Sequence, residues 1–226
     1  MRSLPLPLAL TARLTPVAVL ACAGWVMTSG TDETPTAQDK PAPQTESRSG
    51  ADPSAPSSTA ETKTYAAAPA PCDSLAKKTI TSLVPGAKTA GKEIPSTDTK
   101  KRRTCSWNAL KEYDYRWLDV SFEIMATDAA AEKSYKARTE EKSGGGAVPG
   151  LGDTAYSVVN LTTEDGQETR EGVVLVRAAN ALVAITYNGS DFESKKAPST
   201  DEINKGAIKA AKEAVAALEG GQAQQS

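Results

Sequence analysis

Two carboxylates and two aromatic side chains lie close together in one segment of the chain. Residues 116–126 alternate apolar with polar side chains, which predicts a β-strand with two different faces. Trp117, Asp119 and Glu123 share its polar face, and Tyr115 directly precedes it. Paired carboxylates are the machinery of a glycosidase, in which one carboxyl group donates a proton and the other attacks or activates water.

The same four side chains also fit a binding role without catalysis. Aromatic rings beside carboxylates on an exposed sheet face can form a shallow platform for a sugar or a partner protein. Alternatively, a helix covers them or they pair across strands. The spacing alone defines neither a cleft nor a carboxylate separation, so we predict a ligand or partner surface formed by Tyr115, Trp117, Asp119 and Glu123, with no catalytic residue.

Composition argues against several other classes of function. The chain contains no histidine, which excludes Ser-His-Asp and Cys-His catalysis and every histidine-containing metal site. Glycines are dense in residues 144–152, but no Gly-Lys-Ser/Thr follows them as in a phosphate-binding loop. The formal net charge of -2 does not suggest nucleic-acid binding. We therefore predict a protein that is not an enzyme and that uses no cofactor or metal.

The N-terminal residues 1–27 predict export. Two arginines precede an apolar run from Leu14 to Met27, which has the length of a signal peptide and is short for a membrane span. Within it, Val19-Leu20-Ala21-Cys22 resembles the bacterial lipobox, whose cysteine receives a diacylglyceryl group. Lipidation of Cys22, an uncleaved signal anchor, and cleavage with release all remain open. We predict the first, which tethers the protein to the membrane outside the cytoplasm.

The remaining sequence divides into a linker and one domain. Residues 28–70 are rich in Pro, Ser, Thr and Ala and contain no Leu, Ile, Val or Phe, which predicts a disordered linker. A globular domain then covers residues 71–220, and residues 221–226 form a tail. Because an exported domain meets an oxidising environment, Cys72 and Cys105 should form a disulfide, and closing that loop should stabilise the fold by about 3 to 4 kcal/mol.

Hydrophobic periodicity and turn signals predict the elements of this domain. The predicted helices cover residues 72–84, 129–142 and 199–219, and the predicted strands cover residues 104–110, 116–126, 154–162, 172–179 and 181–188. Cys105 and Trp107 should share an inward face of the first strand. The order α-β-β-α-β-β-β-α predicts an α+β fold, in which three helices on one side cover a mostly antiparallel five-stranded sheet with one disulfide.

Two motifs suggest a family. At Cys72, at Cys105-Ser106-Trp107 and at Pro149-Gly150-Leu151-Gly152-Asp153, the chain resembles an actinobacterial family of lipoproteins known only as a domain of unknown function. The resemblance covers about residues 71–218 and the export segment. It implies a secreted, lipid-tethered domain that faces the cell wall, and it supplies no reaction, ligand or catalytic residue.

These features together predict a membrane-tethered lipoprotein with a small extracytoplasmic domain that binds an envelope component or a small ligand. Its partners would be the membrane, through the lipid on Cys22, and a cell-wall component or membrane protein. The alternative is a sensor or accessory domain that serves a membrane protein partner and has no ligand of its own. Nucleic acid is not an expected partner.

Overall fold

The computed structural model of the chain describes residues 64–222. The predicted export segment with Cys22, residues 28–63 of the predicted linker and the last four residues lie outside this range. Between Thr64 and Gln222, no helix is both long enough and apolar enough to cross a membrane.

A single antiparallel sheet of seven strands forms the centre of an α+β domain. The strands are β1 (Lys92–Ile94), β2 (Arg102–Lys111), β3 (Asp114–Ile124), β4 (Gly146–Ala147), β5 (Thr154–Glu164), β6 (Gln167–Ala178) and β7 (Ala181–Asp191). The helices are α1 (Lys77–Leu83), α2 (Asp128–Glu140) and α3 (Thr200–Gln222), and a 3-10 turn covers Pro71–Asp73. The strand order is β1-β2-β3-β7-β6-β5-β4.

The predicted count of five strands is wrong, because it omits both edge strands. β1 has three residues inside an apparent polar loop, and β4 has two residues inside the glycine-rich segment. All five of these residues are exposed. Backbone pairing alone defines such strands, so they leave no alternation of apolar side chains for a sequence pattern to detect.

The predicted placement of the helices on one side is also wrong. We call the two sides of the sheet the α3 face, which carries Leu118, Val120 and Phe122, and the α2 face, which carries Trp117, Asp119 and Glu123. α3 packs on the α3 face and α2 packs on the opposite face, against β6 and β7. Strands β6 and β7 are therefore buried from both sides at one end, which explains their apolar runs.

The α3 face forms the main hydrophobic core. Leu118, Val120 and Phe122 are fully buried there, as the alternation in the sequence predicts. Helix α3 approaches closely because it has a glycine over Tyr187: a Cβ atom at Gly206 would lie 2.6 Å from the Tyr187 ring. The Tyr187 hydroxyl donates a hydrogen bond to the carbonyl oxygen of Leu83 at 2.8 Å and so ties α1 to the sheet.

The predicted disulfide is confirmed and lies in this core. Cys72 bonds to Cys105 across 33 residues, with the two Cα atoms 5.1 Å apart. Trp107 points to the same face, is 1% exposed, and its indole N–H donates to the carbonyl oxygen of Thr89 at 3.2 Å. A Cβ atom at Gly91 would lie 2.6 Å from both the Cys105 sulfur and the Trp107 indole nitrogen, so only glycine fits at this position.

Local turn and cap signals are largely confirmed. β5, β6 and β7 are antiparallel neighbours, and Asp165 and Gly166 form the first hairpin turn with φ values of 50° and 78°. The Ser199 hydroxyl accepts a hydrogen bond from the Glu202 backbone N–H at the start of α3. α3 does not end at Gly220, as predicted, but continues to Gln222, because neither Gly220 nor Gly221 has the positive φ that ends a helix.

The packed part of the chain begins upstream of Pro71. Tyr65 is buried, and its backbone N–H and C=O pair with the side-chain amide of Asn180 at 2.7 and 2.9 Å. The backbone N–H of Ala68 donates to the carbonyl oxygen of Lys100. The side chain of Asn180 thus acts like a strand partner for residues that composition assigns to the linker.

Candidate binding face

Helix α2 covers only one end of the α2 face. Its Ala131 and Tyr135 pack against Leu175 and Leu182, near the end of β3 and the start of β7. Beyond this contact, towards the start of β3, no helix within residues 64–222 packs on the same face of the sheet. We call this uncovered part the open face and define it by Asn108 and Leu110 on β2, Tyr115, Trp117 and Asp119 on β3, Asn188 on β7, and Phe192.

Strand register places the polar and aromatic side chains of the open face in rows. Opposite residues of an antiparallel pair point to the same face, so Trp117 lies between Asn108 of β2 and Asn188 of β7. In the next row Asp119 lies between Ser106 and Thr186. The row on the other side of Trp117 places Tyr115 next to Leu110.

Trp117 belongs to an aromatic cluster in which Tyr115 contacts both of the other rings. The Trp117 side chain remains 37% exposed, and the Tyr115 ring lies perpendicular to it with the centroids 6.5 Å apart. Phe192, which follows β7, contacts Tyr115 with the centroids 6.0 Å apart. Burial, aided by the negative charge of Asp119, raises the pKa of the Tyr115 phenol above its usual value, so the hydroxyl is neutral under physiological conditions.

The carboxylate of Asp119 is held in a defined orientation. The indole N–H of Trp117 donates to Asp119 Oδ1 at 2.7 Å, which fixes the carboxylate and the ring relative to each other. No other hydrogen bond to this carboxylate occurs within residues 64–222. Its second oxygen therefore remains available as an acceptor for an incoming hydroxyl or N–H group.

Several polar groups near Trp117 lack partners. In the described part of the chain, the side-chain amides of Asn108 and Asn188 form no hydrogen bond. The Ser106 hydroxyl is buried and also has no hydrogen-bond partner there. Buried polar groups are normally paired, so an unpaired hydroxyl beside Asp119 is unusual.

Glu123 does not belong to the open face. It is only 8% exposed, because α2 covers it and the Arg138 guanidinium donates to its carboxylate at 3.0 Å. This hydrogen bond also raises the pKa of Arg138. The structure thus brings together Tyr115, Trp117 and Asp119 of the four predicted residues and separates Glu123 from them. A pair of carboxylates facing one space, as a glycosidase requires, is therefore not assembled by Asp119 and Glu123.

Two grooves flank the aromatic cluster on the α2 face. One has a volume of about 430 Å³ and is lined by Asp119, Thr104 and Arg102 together with the β1 edge. The other has a volume of about 630 Å³ and lies between Phe192 and the β5–β6 hairpin, where Thr162 and Thr169 line it. The surface suited to a ligand therefore extends beyond Trp117 in both directions.

The open face lies far from the point where the upstream chain joins the domain. Tyr65 is held by Asn180, directly before β7 begins at Ala181. β7 then runs to Asp191, which at the usual rise is about 33 Å away, and Phe192 follows it. Tyr65 and the aromatic cluster are therefore at opposite ends of the sheet.

The predicted surface did not include Phe192, Asn108 or Asn188. Phe192 lies outside the predicted strand 181–188, and its contact with Tyr115 depends on the pairing of β3 with β7. The one available signal is an isolated aromatic residue in the polar segment after that strand. The unpaired state of Asn108 and Asn188 is a property of the folded sheet and has no sequence signal.

Within residues 64–222, no three Cys, Asp or Glu side chains cluster in a way that would hold a metal ion. Comparisons of the chain with protein-family models, with curated proteins and with solved structures found no match in any of the three.

Proposed function

We propose that this protein is an exported lipoprotein, anchored through a lipid on Cys22, whose domain binds an envelope component through the open face. The observation that carries this proposal is the aromatic cluster of Trp117, Tyr115 and Phe192, which lies on a part of the sheet that no helix of the described residues covers. Exposed aromatic side chains grouped on a well-formed surface are typical of recognition sites.

The position of the cluster supports binding by a tethered domain. Tyr65 is held at the Asn180 end of the sheet, and the aromatic cluster lies at the other end. A tether that joins the domain before Tyr65 would therefore leave the open face accessible to an envelope component.

The composition of residues 28–63 fits a tether for such a domain. This segment is polar and rich in proline, and such chains extend rather than collapse. Export, the tether and the binding face thus form one consistent arrangement. The resemblance to actinobacterial lipoproteins suggests the same setting.

The binding proposal is tested with the full-length protein extracted from membranes in detergent. Isolated cell walls are sedimented with the wild type, with Trp117→Ala and with Leu161→Ala. Leu161 is a matched control because it is 50% exposed and lies on β5 on the opposite face of the sheet. We expect Trp117→Ala to reduce the bound fraction about tenfold or more, as for a central interface aromatic, and Leu161→Ala to leave it unchanged.

Unchanged binding of Trp117→Ala, or an equal loss in Leu161→Ala, would contradict the binding proposal. Cross-linking in intact cells that recovers one integral membrane protein in stoichiometric amount would instead support the alternative of an accessory domain. The anchor is tested separately by the intact mass of the same extracted protein. A mature chain that begins downstream of Cys22 without a lipid would refute lipidation.

A further inference from the structure

We infer that the open face binds a neutral saccharide chain, with Trp117 as the stacking surface and Asp119, Asn108 and Asn188 as its hydrogen-bonding groups. This inference rests on the proposed binding role of the open face and specifies the class of ligand. It is drawn from four features: the ring, the groups around it, the charge of the face and the two grooves.

The first feature is the pairing of an exposed ring with an oriented acceptor. A sugar ring has an apolar C–H face bordered by hydroxyl groups, so it needs a flat apolar surface with polar groups at the edge. Trp117 offers that surface at 37% exposure, and its N–H fixes the adjacent Asp119 carboxylate at 2.7 Å. The remaining carboxylate oxygen can accept from a sugar hydroxyl at the edge of the indole.

The second feature is the set of unpaired groups in the neighbouring positions. Asn108 and Asn188 lie on opposite sides of Trp117 in the same row, and neither amide forms a hydrogen bond within the described residues. Each amide offers both donors and an acceptor, which matches hydroxyl groups that both donate and accept.

The third feature is the net negative charge of this surface. Asp119 is the one charged residue that the Tyr115, Trp117 and Asp119 rows carry on β2, β3 and β7, and Glu171 of β6 continues the Trp117 row. The two grooves add Glu164 and Asp165 and one cation, Arg102. A polyanion such as a phosphate-containing wall polymer would therefore meet more carboxylates than cations among these residues. A neutral polymer avoids that repulsion.

The fourth feature is the length of the surface. The groove beside Asp119 and the groove beside Phe192 lie on the same face, on either side of the aromatic cluster. Both are shallow and are lined mainly by Thr, Ser, Gln and carboxylate side chains, and the groove beside Asp119 also has Ile94, Pro95 and Arg102 in its lining. A chain of several sugar units can therefore extend from the indole into both grooves, whereas a single unit would fill only the central position.

The test uses the full-length protein and two defined probes, the tetrasaccharides of β-1,4-linked N-acetylglucosamine and of α-1,4-linked glucose. Binding is measured by titration calorimetry for the wild type, Trp117→Ala, Trp117→Phe, Asp119→Asn and Leu161→Ala. We expect at least one probe to bind, a loss of about tenfold or more in Trp117→Ala, a smaller loss in Trp117→Phe and Asp119→Asn, and no change in Leu161→Ala.

The outcomes separate this inference from the proposed function. If neither tetrasaccharide binds while wall sedimentation still depends on Trp117, the ligand is not a neutral saccharide, although the open face remains the binding surface. If protease treatment of the walls abolishes sedimentation, the ligand is a protein and the inference is overturned. If Trp117→Ala binds both walls and saccharide like the wild type, the inference and the proposed function fail together.

Discussion

The two faces of the sheet differ in how completely they are covered. On the α3 face, helices α1 and α3 and the disulfide enclose side chains such as Trp107 and Phe122 almost completely. On the α2 face, one helix covers one end and leaves Trp117 exposed at the other. The α3 face therefore provides most of the stability of the domain. Side chains on the open face can change at little cost to folding, so this face is suited to recognition.

The two tryptophans of the domain provide the strongest test of this comparison. They lie on the paired strands β2 and β3, but Trp107 is buried on the α3 face and Trp117 is exposed on the α2 face. We expect Trp107→Ala to lower the free energy of unfolding by about 3 to 5 kcal/mol and Trp117→Ala to lower it by less than about 1 kcal/mol. Urea unfolding followed by circular dichroism measures both values.

If Trp107→Ala fails to fold, the same comparison can be made with the two phenylalanine variants. Trp107→Phe keeps most of the buried ring and should cost about 1 to 2 kcal/mol, against almost nothing for Trp117→Phe. Equal losses in the two phenylalanine variants would show that the faces do not differ in their contribution to stability.

The disulfide should account for the next largest effect on the α3 face. Replacing Cys72 and Cys105 together with Ala removes a link across 33 residues and should lower the free energy of unfolding by about 4 kcal/mol in the chain-entropy model. The same open-face binding should persist under conditions where the variant is folded, because neither cysteine contacts that face. Loss of saccharide or wall binding from a folded double variant would contradict the separation of the two faces.

Sequence alone predicted the parts of the fold that burial on one face determines. The alternation of Leu118, Val120 and Phe122 reports directly that one side of β3 is in the core. The disulfide is predicted from the oxidising compartment, and the helix cap at Ser199 is predicted from local hydrogen bonding. Both predictions are confirmed. In each case the signal comes from a short stretch of residues or from chemistry that any fold would share.

The side on which α2 lies could not be predicted in this way, because it depends on the strand order. β3 pairs with β7, whereas the strand that follows α2 lies at the far edge of the sheet. The chain must therefore cross β7, β6 and β5 after it leaves β3, and α2 lies over one face on this crossing while α3 lies on the other. No pattern within α2 indicates that long-range pairing.

The candidate site was predicted in part for the same reason. Alternation places Trp117, Asp119 and Glu123 on one side of β3, but it does not show which of them α2 covers. Arg138 lies in a later helix and removes Glu123 from the open face, and Phe192 is added by β7. Both contacts join residues that are distant in the sequence.

The end of the α2 face under α2 should tolerate substitution less well than the open face. Arg138→Ala leaves the Glu123 carboxylate buried without its main partner, and we expect a loss of about 2 kcal/mol in unfolding free energy because Arg138 is partly exposed and water can relax the charge. Asp119→Asn, at the uncovered end, should cost less than about 0.5 kcal/mol.

The double variant Glu123→Leu with Arg138→Leu serves as the control for that prediction. It removes both charges and keeps apolar volume, so much of the lost stability should return. A double variant as unstable as Arg138→Ala would show that the buried charge is not the cause.

The smallest effect concerns pH and again separates a buried aromatic from an exposed one. Burial raises the pKa of Tyr187 to about 12, whereas the unfolded chain has the ordinary value of 10.0. The folded state thus holds this proton more tightly, so its contribution to stability is complete below pH 10 and is lost as pH rises from 10 to about 12. Tyr187→Phe should remove that part of the pH dependence, which is on the order of 2 kcal/mol at pH 12. Tyr113→Phe, at a site where the ring is exposed, should retain this pH dependence. Identical pH profiles of the wild type and Tyr187→Phe would show that the α3 face does not hold the Tyr187 phenol in its neutral form.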